Sequence, residues 1–547
     1  MKTARCLRMV RILAVLLVGL QTGLTIHAGY LDTIGVTLLR TVTTNVDGSG
    51  IRVAQPEAGA PTFEVNPAYS WVQQPVSLFT YISSIGTTNY FPNAVGSESP
   101  HADDVASNFY GLPFGVATNL AHVDNYDANY FVQVSYSVPF PGVTNYTVSL
   151  PPNFGDPVVN QSFIFIDFDT NNNPVNVPTN EQEAIDSAYD NYAAQYNTLF
   201  VSGAGNGSPT RVCPPATCYN GIGVADYGGG SSVGPTLDNG RAKPDITTPQ
   251  NATSWSTPEV SGAAALLMQA GLRGDGGSNT NAASDIRAVK ALLLNGAIKP
   301  ADWTNNSPSP LDTRYGAGIL DVFNSYEQLA GGKYSYIATT SVSTGNPHPP
   351  TGASGTISAL SGWDFNTNTS GNTSDEINHY YFNVTNGLSN ATFTATATLV
   401  WNRQRNQTNI NNLDLFLYDA VSSNLIAAST SVVDNVEHIW LPQLPQGRYD
   451  LQVLKHGGGD TVSSNETYAL AWEFFSTALS VVQSGTNVVL SWPIYPDGFV
   501  VETTTNLAPP IVWTTLNVTP TVTNYQNDVM VSATNASQFF RLQIQRP

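Results

Sequence analysis

The run Ala252-Thr253-Ser254-Trp255-Ser256-Thr257-Pro258-Glu259-Val260-Ser261-Gly262, followed by Ala263-Ala264-Ala265-Leu266-Leu267-Met268, contains the residue best placed to do chemistry. A turn of small residues leads to Ser254, Pro258 suits the first turn of a helix, and the residues beyond are apolar and small-sided enough to predict a buried helix. That arrangement presents the Ser254 hydroxyl at a helix N-terminus, where the dipole and free N–H groups favour developing negative charge, as a serine nucleophile requires. A helix N-cap, which Ser and Thr routinely supply, accounts for the same residues. Two other groups of residues invite chemistry. Cys213 and Cys218, in Cys213-Pro214-Pro215-Ala216-Thr217-Cys218, form an even pair close enough to bridge one surface loop, and they lack the His partners that zinc would want. A disulfide is the expectation. Asp167-Phe168-Asp169-Thr170-Asn171 begins like a calcium loop, but Asn172 and Pro178 stand where such a loop needs Gly and Glu, so a polar turn after a strand is expected.

Four further segments bear on Ser254. His101-Ala102-Asp103-Asp104-Val105-Ala106-Ser107 and Val201-Ser202-Gly203-Ala204-Gly205-Asn206-Gly207 lie upstream, with Arg241-Ala242-Lys243-Pro244-Asp245-Ile246-Thr247-Thr248-Pro249 just before the serine. Tyr315-Gly316-Ala317-Gly318-Ile319-Leu320-Asp321 follows it. In this order the five segments resemble the subtilisin-like serine peptidases, whose chain order of acid, histidine and serine is distinctive. Ala252 and Trp255 are clear departures from that family's serine motif. The resemblance implies Ser254 as nucleophile, His101 as general base and Asn206 as the amide that donates to the oxyanion. It also sets Val53-Ala54-Gln55-Pro56-Glu57-Ala58-Gly59 against the family's acid segment, so Glu57 stands where an aspartate is usual. Pro56 removes an N–H from what should be a central strand. Asp103 and Asp104 are the nearest alternative acids, and a degenerate site is the remaining alternative.

The elements expected to position these residues follow from patterning. Apolar runs such as Phe163-Ile164-Phe165-Ile166 and Thr198-Leu199-Phe200-Val201 alternate with helical stretches such as Glu181 to Tyr196. The expected fold class is α/β, a doubly wound, mostly parallel subtilisin-like sheet over residues 29–335, followed by two small all-β domains. A Ser-, Thr-, Gly- and Pro-rich linker is expected over 336–355, a β-sandwich over 356–476 and a C-terminal β domain over 477–547. Trp363, Tyr380, Tyr381 and Trp401 in the sandwich suit either a sugar- or peptide-binding face or core packing.

At its start the chain has a basic segment with Lys2, Arg5, Arg8 and Arg11, then Ile12-Leu13-Ala14-Val15-Leu16-Leu17-Val18-Gly19-Leu20, which reads as a signal peptide over 1–28. A secreted or cell-envelope protein follows, with no membrane span in the mature chain. Between Ala28 and the first core strand near Ile51 too few residues remain for the folded propeptide usual in the family. A net charge of −19 with few lysines argues against nucleic acid as a partner, because phosphate binding needs clustered Lys and Arg. The expected partner is a protein or peptide substrate, with a cell-surface or polysaccharide contact through the β-modules as an addition. The chemistry needs no organic cofactor, and no ligand set for a structural calcium or other metal is legible. The functional expectation is a secreted serine endopeptidase. The alternative is a non-catalytic exported scaffold for binding or adhesion, which Glu57, Pro56 and the short N-terminal segment suggest.

Overall fold

The computed structural model describes residues 26–547 apart from 60, 90–95, 141–142, 386–391, 477–478, 494–498, 509, 524–525, 534–536 and 545–547. Most of the expected signal peptide therefore lies outside the described residues. Eight strands form the first sheet: β1 (Arg52–Glu57), β2 (Phe79–Ile82), β3 (Thr88–Asn89), β4 (His122–Asp127), β5 (Val158–Gln161), β6 (Leu199–Gly203), β7 (Ile222–Asp226) and β8 (Ile246–Thr248). Their order is β8-β7-β6-β5-β1-β4-β2-β3, parallel throughout except where β3 pairs antiparallel with β2. The central strands are buried along their length, as a parallel sheet covered on both faces requires. Pro56 lies beyond the pairing of β1 with β5, which runs through Val53↔Val158 and Ala54↔Val159, but within the pairing of β1 with β4, opposite Tyr126.

Helices α1 (Ile26–Thr33) and α2 (Val36–Val42) precede β1, with Val36 and Leu39 buried against the front domain. Then come α3 (Pro100–Phe109), α4 (Thr179–Tyr196), α5 (Thr253–Arg273), α6 (Ile286–Gly296) and α7 (Val322–Ala330). Helix α5 is the one read from the serine segment. Every residue from Ser256 to Gly271 is buried, and a Cβ on Gly262 would come within 2.5 Å of Val116, so only glycine permits that approach. Among the described residues, no helix is long and apolar enough to cross a membrane.

Two antiparallel sheets form the sandwich. One is made of β9 (Ala338–Ser343), β11 (Ser374–Val384), β16 (Gly447–Lys455), β13 (Leu413–Asp419) and β14 (Leu425–Ser429) in that order. The other has β10 (Ser361–Thr369), β17 (Asn465–Phe475), β12 (Thr392–Trp401) and β15 (Val436–Pro445). Strand β9 falls inside the stretch read as a linker. Its Thr and Val residues are β-formers, and it pairs in continuous register with β11. The four-stranded sheet lies against α6, and Trp363, Val400, Val436, Ala469 and Ala471 join the hydrophobic core of the front domain. Polar contacts seal the seam. The guanidinium groups of Arg241 and Arg403 both lie over the Tyr219 ring, at 4.0 Å and 4.8 Å, while Arg403 pairs with Asp190 and Glu183, each at 2.8 Å. Of the two readings of the sandwich aromatics, core packing holds: Trp363, Tyr380, Tyr381 and Trp401 are all buried.

The remaining strands, from Ser480–Ser484 to Phe539–Ile544, make a four-stranded and a three-stranded sheet around a small core of Leu490, Trp492, Val501 and Val529.

The disulfide expectation is corrected. Cys213 and Cys218 are both free and buried. Cys213 packs with Ile164 and Ile166, whereas Cys218 belongs to the main core, so the two thiols point into separate apolar clusters despite their short spacing. Burial pushes each thiol up to about 12.

Candidate active site

Strands β1, β5 and β6 end at the same carboxyl edge of the sheet, the edge where open α/β sheets gather ligands. Each delivers one part of the site. Glu57 is the last residue of β1, Ser162 follows β5, and Asn206 follows β6 after a turn through Gly205. Gly205 has φ +108°, and a Cβ there would meet Ser232 Oγ at 2.7 Å, so this turn requires glycine.

His101 comes from α3. Ser99 caps that helix, accepting from the Ala102 N–H, and Pro100 sets its first turn, so the imidazole sits at the helix start. Its Nδ1 lies 2.8 Å from Glu57 Oε2. The carboxylate is 1% exposed and the histidine side chain 16%, so the acid is sealed while the base keeps an opening to solvent. Glu57 is itself held: Gln55 Nε2 donates to its Oε1 at 2.9 Å, and Tyr110 donates its hydroxyl to Gln55 Oε1 at 2.5 Å. Burial alone would lower the His101 pKa. The Glu57 charge and hydrogen bond, with Asp104 adding attraction, outweigh that and raise it above its ordinary 6.5. Asp103 points elsewhere, accepting the Asn66 N–H at 2.6 Å, and burial pushes its carboxyl up to about 8. Of the three candidate acids, Glu57 is the one at the histidine ring nitrogen.

Ser254 lies in the first turn of α5. The N-cap position belongs to Ala252, which makes no side-chain cap, so Ser254 does not cap the helix. Pro258 sits one turn further into the helix than its motif suggests, and its missing N–H leaves the Ser254 carbonyl without a helical donor. Ser162 Oγ donates to that carbonyl at 3.1 Å. Asn206 Oδ1 accepts from both Thr253 N–H and Thr253 Oγ1 at 2.9 Å, which fixes its amide against the helix start. Among the described residues, Asn206 Nδ2 and the Ser254 N–H have no acceptor, and Ser254 Oγ has no hydrogen-bond partner. Trp255 meets the His101 ring, with centroids 5.4 Å apart and planes tilted by 38°. The edge therefore brings together a histidine–carboxylate pair, a serine at a helix N-terminus and two unspent donors, a set able to run acyl transfer.

Residues 146–318 match the family model of the subtilases. This segment is similar to the subtilases. The subtilase match takes in Asn206 and Ser254 and begins after Glu57 and His101. Among solved structures, a mutant of the protease domain of PatA is similar at 20% identity over 52% of this chain and 98% of that one, with a TM-score of 0.34. The prenylagaramide maturation protease PagA is also 20% identical, over 54% of this chain and 98% of its own, again at 0.34. Tripeptidyl peptidase 2 spans 75% of this chain and 47% of its own at 12% identity and a TM-score of 0.29. No curated protein matches the chain at a significant level.

Motif reading missed two supporting residues. Gln55 shares a strand face with Glu57 by the two-residue period, a signal present in the sequence. Ser162 answers a need created by Pro258, and it is found only once the strand ends are known. Lys243 and Asp245 of the upstream motif prove structural: Asp245 binds Lys243 at 2.5 Å and Lys290 at 3.0 Å in the core. The acidic run after β5 is a turn. Asp169 Oδ1 accepts the N–H groups of Asn171 and Asn173 at 2.8 Å between strands Ile166–Phe168 and Pro174–Asn176.

Proposed function

We propose that the chain is an exported serine endopeptidase of the subtilisin type, acting on protein or peptide substrates through Glu57, His101, Asn206 and Ser254. The observation that carries this reading is the 2.8 Å contact between His101 Nδ1 and a sealed Glu57 carboxylate, at the sheet edge where α5 begins. In the proposed reaction His101 Nε2 takes the Ser254 proton as Oγ attacks the peptide carbonyl, and later gives it to the leaving amine. Glu57 keeps the proton on Nδ1 and balances the imidazolium. Asn206 Nδ2 and the Ser254 N–H donate to the tetrahedral oxyanion. Glu replaces the expected Asp by one methylene, and Gln55 supplies the extra support that the longer side chain needs. The basic N-terminal segment and the apolar run after it support export.

A second reading, a scaffold that binds without cutting, is favoured by one observation: Ser254 Oγ makes no hydrogen bond to His101 among the described residues. Catalytic hydrogen bonds often tighten only when substrate is bound. Hydrolysis of casein by the purified full-length chain separates the two. Activity that disappears in Ser254→Ala, with the melting temperature nearly unchanged, supports the peptidase. A folded chain without activity supports the scaffold.

A further inference from the structure

Trp255 is, with Ala252, one of the two clear departures of the serine motif from its family, and its ring meets that of His101. It stands beside Ser254 in the first turn of α5, half-buried, while the rest of the helix from Ser256 to Gly271 is sealed. Its ring lies 5.4 Å from the imidazole centroid. Two other charges act on that imidazole: Glu57 from β1 on Nδ1, and Asp104 from α3 itself. From α5 the ring contact comes from Trp255, which is uncharged. Among the described residues, the indole is therefore the one aromatic ring in contact with the histidine, at a distance where a ring quadrupole attracts a cation.

We infer that Trp255 is a positioning residue that holds the His101 ring against Glu57 and stabilises its imidazolium form. A neutral imidazole gains little from an indole face, whereas the imidazolium formed when His101 accepts a proton is attracted to it. An interaction that strengthens as charge develops lowers the barrier rather than merely binding substrate. The bulk of the indole also limits rotation of the imidazole, which keeps Nδ1 on the carboxylate. The kinetic part of this inference rests on the peptidase reading; the part concerning the histidine does not.

The test is an NMR titration of the histidines in the full-length chain carrying Ser254→Ala, with the His101 signal assigned by its loss in His101→Asn. Replacing Trp255 by Leu removes the quadrupole, so the imidazolium loses support and the His101 pKa falls, by about 0.4 to 0.7. Trp255→Phe restores part of that fall. The unsubstituted chain must also show the His101 ring proton displaced by the indole ring current, a readout that needs no folded Leu variant. In the active enzyme, the acid limb of kcat/KM moves to lower pH by the same amount in Trp255→Leu, kcat falls about 2- to 5-fold, and KM changes little. An unchanged His101 pKa in the Leu variant, or no ring-current displacement in the unsubstituted chain, overturns the inference. A titration shift in a chain that never cleaves substrate overturns the peptidase reading instead and leaves the Trp255–His101 coupling standing.

Discussion

Two histidine–carboxylate pairs in this molecule are nearly alike in geometry. At the sheet edge His101 Nδ1 lies 2.8 Å from Glu57, which Gln55 also holds, at 2.9 Å. In the sandwich His379 Nδ1 lies 2.8 Å from Asp450, which Gln452 also holds, at 2.8 Å. The sandwich pair even has a hydroxyl in place, since Thr340 Oγ1 lies 2.7 Å from His379 Nε2, closer than any hydroxyl lies to His101 among the described residues. Judged by pair geometry alone, the sandwich is the better relay. What it lacks is access. His379 and Asp450 are 0% exposed, against 16% for His101, and Thr340 lies on edge strand β9 rather than at a helix N-terminus with free donors. A buried His–Asp pair with both ring nitrogens engaged locks two strands together. The same pair with one ring face open, beside unspent N–H groups, can do chemistry.

Substitutions sharpen this contrast in order of effect on turnover. Glu57→Gln keeps the shape but favours the wrong histidine tautomer, and kcat is expected to drop by about 10⁴, as in the aspartate-to-asparagine triad case. Asp450→Asn, the matching change in the sandwich, should leave kcat and KM unaltered in the same assay. Asn206→Ala removes one oxyanion donor and should lower kcat by about 10²–10³ with little change in KM. If Asp450→Asn slowed turnover as much as Glu57→Gln, the contrast would be broken.

The pH profile is a milder probe. Catalysis needs neutral His101, whose pKa is raised by Glu57 and Asp104 against the opposing effect of burial. Activity should therefore be lost as pH falls through a midpoint above 6.5, the ordinary value. The sign for stability is opposite: the ion pair contributes fully below the unfolded-state value and is lost as pH rises through the folded-state one. A kcat/KM midpoint at or below 6.5 would show that Glu57 does not govern the histidine. The smallest effect on activity comes with a clear effect on stability. Asp450→Asn weakens a hydrogen bond to a charged group in the sandwich and should cost about 1.5–3 kcal/mol in urea denaturation.

Much of the front domain was legible because parallel strands read as short apolar runs and α5 as a long small-sided one. Aligning motifs set Glu57 against His101, and the two meet at 2.8 Å. What escaped were consequences of three-dimensional neighbours. Two cysteines five positions apart in a turn-rich loop looked ready to bond, but each is claimed by a different apolar cluster. Ser and Thr in the stretch after the front domain looked like linker composition, yet alternation with Val suits the edge strand that they form. Four large aromatics suited a binding face as well as core packing, and only the sandwich that buries them all decides for packing. Nothing in the sequence marks Ser162 as the donor to Ser254 O, because that role exists only where β5 ends beside the proline-broken turn of α5.

The central claim is that Ser254 is a nucleophile activated by His101. Treating the full-length chain with a fluorophosphonate and mapping the adduct by mass spectrometry tests it most directly. The account predicts a single phosphonyl group on Ser254, formed far more slowly in Glu57→Gln and absent in Ser254→Ala. A properly folded chain that stays unlabelled at Ser254, or that takes the label on another residue, would contradict it.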